Sequence, residues 1–183
     1  MQFWFLSILI LFSCSKQSVE GWTSTPCYLP GSLVYAINCF KNHTTNQDLE
    51  LISVNTKEDC DDTIYELNLV FDLAKTVDEN QARKLVLNLL ANLLNSFNNN
   101  QKLRPLFSIS PLTANEVTIQ IRIRPSDCGA DYPIMGNIAS VTVADGKVIY
   151  GTLNSYTYQI DILRTETLKK AQQLLNWQNE SQL

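Results

Sequence analysis

The stretch YELNLVFDLAKTVDENQARKLVLNLLANLLNSF, residues 65–97, decides the fold. Its first nine residues alternate. Tyr65, Leu67, Leu69, Phe71 and Leu73 stand on one parity, Glu66, Asn68, Val70 and Asp72 on the other. Successive side chains of a strand point to opposite faces, so the pattern predicts a strand with one apolar face. The period then changes. Ala82, Val86, Leu89, Leu90, Leu93 and Phe97 recur at helical spacing, with Lys84, Asn88, Asn92 and Asn95 opposite. Thr76 and Glu79 have the T-x-x-E spacing of a capping box. The run Asn98-Asn99-Asn100 supplies residues that tolerate the left-handed backbone of a helix end. A helix over 77–97 is predicted.

Towards the C-terminus, Val117, Ile119, Ile121 and Ile123 alternate with Thr118, Gln120, Arg122 and Arg124, which reads as a second strong strand. Asp145-Gly146 is a two-residue turn signal, because a type I′ turn needs positive φ at both positions. It pairs Val143 with Val148 and Val141 with Tyr150. Tyr156, Tyr158, Ile160 and Ile162 read as a further strand. Thr165 then caps a last helix with Leu168, Ala171, Leu174, Leu175 and Trp177 on its packing side. Towards the N-terminus, Leu33–Phe40 reads as a strand with Leu33, Tyr35 and Ile37 on one face, and Leu49–Val54 as another. The order is strands, helix, strands, helix. It predicts an α+β fold, a mostly antiparallel sheet with two helices packed on one face.

The N-terminus has a different character. Phe3 to Phe12 is an apolar run of about ten residues, too short for the roughly 20 that a spanning helix needs and suited to the core of a signal peptide. It ends in Leu11-Phe12-Ser13-Cys14, which resembles a bacterial lipobox. The resemblance implies cleavage after residue 13 and a lipid on Cys14. The chain then divides into a signal peptide over 1–13, a lipid-anchored tether over 14–32, one domain over 33–178 and a frayed tail over 179–183. The expected place is the bacterial envelope, at the outer membrane facing the periplasm. Met1-Gln2 brings no basic residue, so an ordinary secretory signal and a secreted protein stay open. Asn42-His43-Thr44 and Asn179-Glu180-Ser181 fit the glycosylation pattern of a eukaryotic secreted chain.

Five cysteines are present, and lipidation of Cys14 leaves four: Cys27, Cys39, Cys60 and Cys128. In an exported domain these are candidates for two disulfides, with three connectivities open. None stands in a C-x-x-C pair, so neither a redox motif nor a zinc site is indicated. The net charge of −4 carries no polybasic footprint, which argues against nucleic acid as a partner. A hydrophobic content of 45% fits a folded domain rather than a disordered one.

No catalytic or cofactor motif stands out: there is no P-loop, G-x-G-x-x-G, H-E-x-x-H or G-x-S-x-G. No metal or cofactor is assigned. The one histidine, His43, and Cys128 in Asp127-Cys128-Gly129 would suit a dyad only if the fold joined them. Glu58, Asp59, Asp61 and Asp62 surround Cys60, but Ile64 and Val70 occupy the positions where an EF-hand loop needs Gly and Glu. Arg122 and Arg124, two residues apart, point the same way from a strand and form the candidate binding strip, with Gln120 and Thr118 beside them and Tyr150, Tyr156 and Tyr158 near.

The segment from Tyr65 to Asp145, with Leu103-Arg104-Pro105 after the helix and Val143-Ala144-Asp145-Gly146-Lys147 at the hairpin, resembles uncharacterised exported proteins of chlamydia-like intracellular bacteria. It covers about half the chain and brings no known activity. The expectation is a lipid-anchored envelope protein with a non-catalytic binding or assembly role. Its partners would be the membrane, through Cys14, and an envelope protein. An exported hydrolase and a soluble secreted effector are the alternatives.

Overall fold

The computed structural model describes residues 30–45, 48–59, 63–124, 137–154 and 156–180, with side chains as far as residue 176. Among these residues there are three helices and a six-stranded sheet. In chain order the elements are α1 (Gly31–Thr44), β1 (Leu49–Glu58), β2 (Ile64–Leu73), α2 (Glu79–Asn98), a short 3-10 turn (Arg104–Leu106), β3 (Val117–Ile123), β4 (Ser140–Ala144), β5 (Lys147–Leu153), β6 (Ile160–Thr167) and α3 (Leu168–Glu180). The strands lie in the order β1-β2-β3-β4-β5-β6. Every neighbouring pair is antiparallel except β2 and β3, which run parallel. A parallel pair needs a crossover, and α2 lies within it. The class is α+β, as the alternation of periods implies.

The pattern in β2 and β3 maps directly onto burial. Leu67, Leu69, Phe71 and Leu73 are buried, as are Val117, Ile119, Ile121 and Ile123. Tyr65 departs from its parity and is exposed, because a register shift between Lys57 and Glu58 brings Ile64 into the core at that end. Val141, Val143, Val148 and Tyr150 continue the same apolar face, in the cross-strand pairs the turn signal implied. Asp145 and Gly146 have φ of 48° and 67°, as a type I′ turn requires. The buried side chains of these strands join one core cluster with the inward residues of the helices.

Helix α2 buries the residues its spacing indicated and exposes Lys84, Asn88, Asn92 and Asn95. Its start is shifted. Asp78, not Thr76, is the N-cap: its carboxylate accepts from the Gln81 amide at 2.8 Å, and the Gln81 side chain accepts from the Asp78 amide at 3.1 Å. A carboxylate meets the exposed amides of a first turn better than a hydroxyl, since charge adds to the hydrogen bond there.

Two expectations are corrected. Residues 33–40 belong to helix α1, not to a strand. Leu33, Ala36, Ile37 and Phe40 are buried, an i, i+3, i+4, i+7 set, and Tyr35, expected inside, is 69% exposed. The helix begins at Gly31, inside the span read as tether. Phe40 meets Phe71 of β2 edge to face, with centroids 6.4 Å apart and planes at 77°. The fold therefore has three helices where two were expected. Helix α2 touches α1 and α3 and lies against β3 and β4, while α3 lies against β5 and β6. The second correction concerns the last strand. Tyr156 and Tyr158 precede it, in a turn, and Thr165 lies inside β6 rather than capping α3. The strand runs straight into Leu168, whose amide donates to the Gly146 carbonyl at 2.8 Å.

Gly151 positions β6. A Cβ there would stand 2.4 Å from Ile160 Cγ2 and 2.5 Å from Ser140 Oγ. Gly151→Ala is expected to destabilise the fold by about 1–3 kcal/mol through overpacking, read from the midpoint of urea unfolding.

Candidate functional site

The described residues hold four places where chemistry collects. The first is buried. Arg83 of α2 is 2% exposed and its partner Glu166 of β6 is 5% exposed. Arg83 Nε donates to Glu166 Oε1 at 2.7 Å, Nη1 to Asn80 Oδ1 at 2.6 Å and Nη2 to Glu79 Oε1 at 2.7 Å. The Tyr150 hydroxyl donates to Glu166 Oε1 at 2.6 Å, and the Arg83 guanidinium lies 5.7 Å from the Tyr150 ring centroid. Arg164 closes the cluster by donating to Glu79 and to Glu166. Burial pushes the Tyr150 phenol well up, and its bond to Glu166 adds to this. Burial also works to raise the Glu166 carboxyl, but the hydrogen bonds from Arg83 and Tyr150 outweigh it and hold the pKa below its ordinary value. Each member already has a partner, so the cluster has no group left to offer a substrate. Its chemistry is that of a staple between α2 and the β5–β6 end of the sheet.

The second place is the candidate strip. Arg122 and Arg124 do lie on one parity of β3, but both are drawn to Asp72 of β2, which the parallel register sets opposite Arg122. Arg122 makes a two-pronged bond to Asp72, at 2.6 and 3.0 Å. Arg124 stands 3.8 Å from the same carboxylate and is 61% exposed. One carboxylate thus shares two guanidinium groups, and the strip is less cationic than its sequence suggested. Tyr150 does not join it, being buried in the ion cluster.

The third is a shallow groove of about 290 Å3 between the start of α2 and the lead-in to β4. It is lined by Thr76, Val77, Asp78, Gln81, Asn137 and Ile138. It stands at the foot of the roughly 300–1,000 Å3 range of ligand sites, and its two best polar groups, Asp78 and Gln81, are spent on the helix cap.

The fourth is the β6 edge. It pairs with β5 on one side, and among the described residues nothing pairs with the other. Ile160, Ile162 and Leu163 are 48%, 69% and 50% exposed, and Tyr156 and Tyr158 in the preceding turn are 87% and 79% exposed. Asn154 builds that turn. Its Oδ1 accepts from the amides of Tyr156 and Thr157, and its carbonyl accepts from the Tyr158 amide at 2.8 Å. Tyr158 is held at φ 55°, a conformation that a bulky L-residue rarely adopts. The opposite edge, β1, exposes Glu50 and Lys57, and exposed charges stand on β6 as well, at Asp161 and Arg164.

Of the remaining sequence candidates, His43, Cys39, Glu58 and Asp59 lie among the described residues. His43 is exposed in the last turn of α1. Cys39 lies on α1 as a free thiol and carries no disulfide. Its hydrogen bond to Tyr35, and then its charge, push that phenol upward. Asp59 accepts from the Thr63 amide and hydroxyl at 3.0 and 2.6 Å, closing a turn. Cys14, Cys27, Cys60, Asp61, Asp62 and Cys128 lie outside the described residues. Among the described residues no group of three metal-ligating side chains occurs, and no helix is long and apolar enough to cross a membrane. Compared with protein-family models, curated proteins and solved structures, the chain matches none.

Proposed function

We propose that this chain is a lipid-anchored binding or assembly protein of a bacterial envelope, held by a lipid on Cys14 and working without catalysis. The observation that carries the binding role is the β6 edge, where Tyr156, Tyr158, Ile160, Ile162 and Leu163 stand exposed together beside backbone that no strand pairs with among the described residues. A group of large apolar side chains in water marks an interaction surface, and tyrosine is among the residues that anchor such surfaces. The fully partnered ion cluster and the capped groove leave no better site among the described residues.

The anchor rests on Leu11-Phe12-Ser13-Cys14 and on the short apolar run before it. Expression of the full chain in bacteria with labelled palmitate tests it. The label is expected on the wild type and absent from Cys14→Ser. Equal labelling of the two, or release of the mature chain into the medium, would contradict the anchor and favour a secreted protein.

A further inference from the structure

We infer that β6 and α3 open from the rest of the fold as one unit while β1 to β5, α1 and α2 stay folded, and that the Arg83–Glu166 pair is the latch that keeps this unit closed.

Burial is uneven across the sheet. The inward residues of β2 and β3, Leu69 and Ile119 among them, are at most 2% exposed. In β6 seven of the eight side chains are exposed and only Glu166 is buried. Among the described side chains of α3, Ala171 alone is buried, with Leu168 and Leu175 partly covered against the core. Hydrophobic stabilisation scales with the apolar area removed from water, so β6 and α3 draw little of their hold from it. Segments with few buried apolar contacts open first, in contiguous cooperative pieces.

The chain path makes β6 and α3 one piece. Thr167 ends the strand and Leu168 begins the helix, with no loop between. Glu166 stands two residues before Leu168, and the Leu168 amide donates to the Gly146 carbonyl at 2.8 Å. The latch and the junction are therefore neighbours, and releasing one loosens both elements. β6 stands at the end of the strand order and, among the described residues, pairs only with β5. Lifting it breaks no other strand pair described.

The latch is polar where the rest of the core is apolar. Glu166 Oε1 accepts from Arg83 Nε at 2.7 Å and from the Tyr150 hydroxyl at 2.6 Å. Closing takes both charges out of water, and their pairing must offset that cost. Opening returns both to water, so the intact pair resists opening only modestly. Arg164 and Glu79 lie at the rim, 40% and 32% exposed, where solvent weakens an ion pair. The open form makes β5 the edge of the sheet and frees the Tyr150 hydroxyl and the Arg83 guanidinium from Glu166.

The test is amide exchange of the full chain in low urea, read residue by residue by NMR. The hydrogen-bonded amides between Ile162 and Leu175 are expected to share one opening free energy and one urea slope. That slope should be less than about half the slope of the β2 and β3 amides, since it follows the surface exposed. Leu69→Ala empties a buried site in β2 and should speed β2 and β3 exchange at least about thirtyfold. It should leave β6 and α3 unchanged, because their open form keeps that core. Glu166→Gln should speed β6 and α3 exchange on the order of a hundredfold, by leaving Arg83 buried without its partner in the closed form. Equal slopes in the wild type would mean that β6 and α3 leave only with the whole fold, and so would equal acceleration of both sets by Leu69→Ala. Different opening free energies for β6 and α3 would mean that they are not one unit. Unchanged β6 and α3 exchange in Glu166→Gln would remove the latch. The wild-type slopes decide the matter even where Leu69→Ala fails to fold.

Discussion

Glu166→Gln will cost the fold about 3 kcal/mol, towards the low end of what removing one partner of a buried ion pair costs. The substitution keeps the size of the side chain and its oxygen for Tyr150. It removes the charge that Arg83, 2% exposed, faces at 2.7 Å. Glu79 remains on Arg83 but is partly open to water, so it compensates only in part. Urea unfolding is the measurement, with a lower midpoint and an unchanged slope. Making both positions neutral, as Arg83→Met with Glu166→Gln, should recover most of the loss, because a buried charge without its partner is worse than no charge. The pH dependence has a defined sign. The folded Glu166 carboxyl titrates below its ordinary value of 4.5, so its ionised form adds stability above that value, and the addition fades as pH falls through the lower folded value. The Glu166→Gln chain should therefore lose less stability between pH 5 and pH 3 than the wild type, in approximate terms set by that ordinary range.

Phe71→Ala will cost about 3–5 kcal/mol, the usual range for emptying a buried aromatic site. Phe71 is fully buried near the C-terminal end of β2 and carries the edge-to-face contact with Phe40 of α1. The loss should have a local signature. Amides of α1 should exchange faster than those of β4 and β5, since α1 leans on this ring and the hairpin does not. Equal acceleration throughout would mean that α1 is held mainly by other contacts.

Much of this architecture was legible because most segments obey a single period. In β2, β3 and the hairpin the apolar residues fit alternation and nothing else, and α2 fits helical spacing over five turns. Residues 33–40 satisfy both: Leu33 and Ile37 belong to the strand pattern and to the helical one. Ala36 and Phe40 break the tie, since only a helix buries them with Leu33 and Ile37. Tyr35 is an aromatic residue that the helix leaves in water, so it counts for the strand pattern only in the sequence. The end of the sheet is ambiguous for a related reason. Tyr156 and Tyr158 continue the parity of Ile160 and Ile162, but the Asn154 turn takes them out of the strand.

The site was less legible than the fold. Arg83 and Glu166 are 83 residues apart, and no local pattern links them. One signal did exist: Arg83, Val86, Leu87 and Leu90 share a stripe of α2, so a guanidinium interrupts an apolar face. A charge in such a stripe needs a buried partner. The strip of Arg122 and Arg124 was visible in sequence, but Asp72 was not, because the β2–β3 register sets it there.

Binding of an envelope protein by the β6 edge and its tyrosine turn is the proposal on which the function rests. Hydrogen exchange read by mass spectrometry tests it most directly, on the full chain in isolated bacterial membranes and on the same chain purified in detergent. The account expects slower exchange across 156–164 in the membranes, with β2, β3 and α2 unchanged. Identical exchange of 156–164 in the two preparations would contradict it.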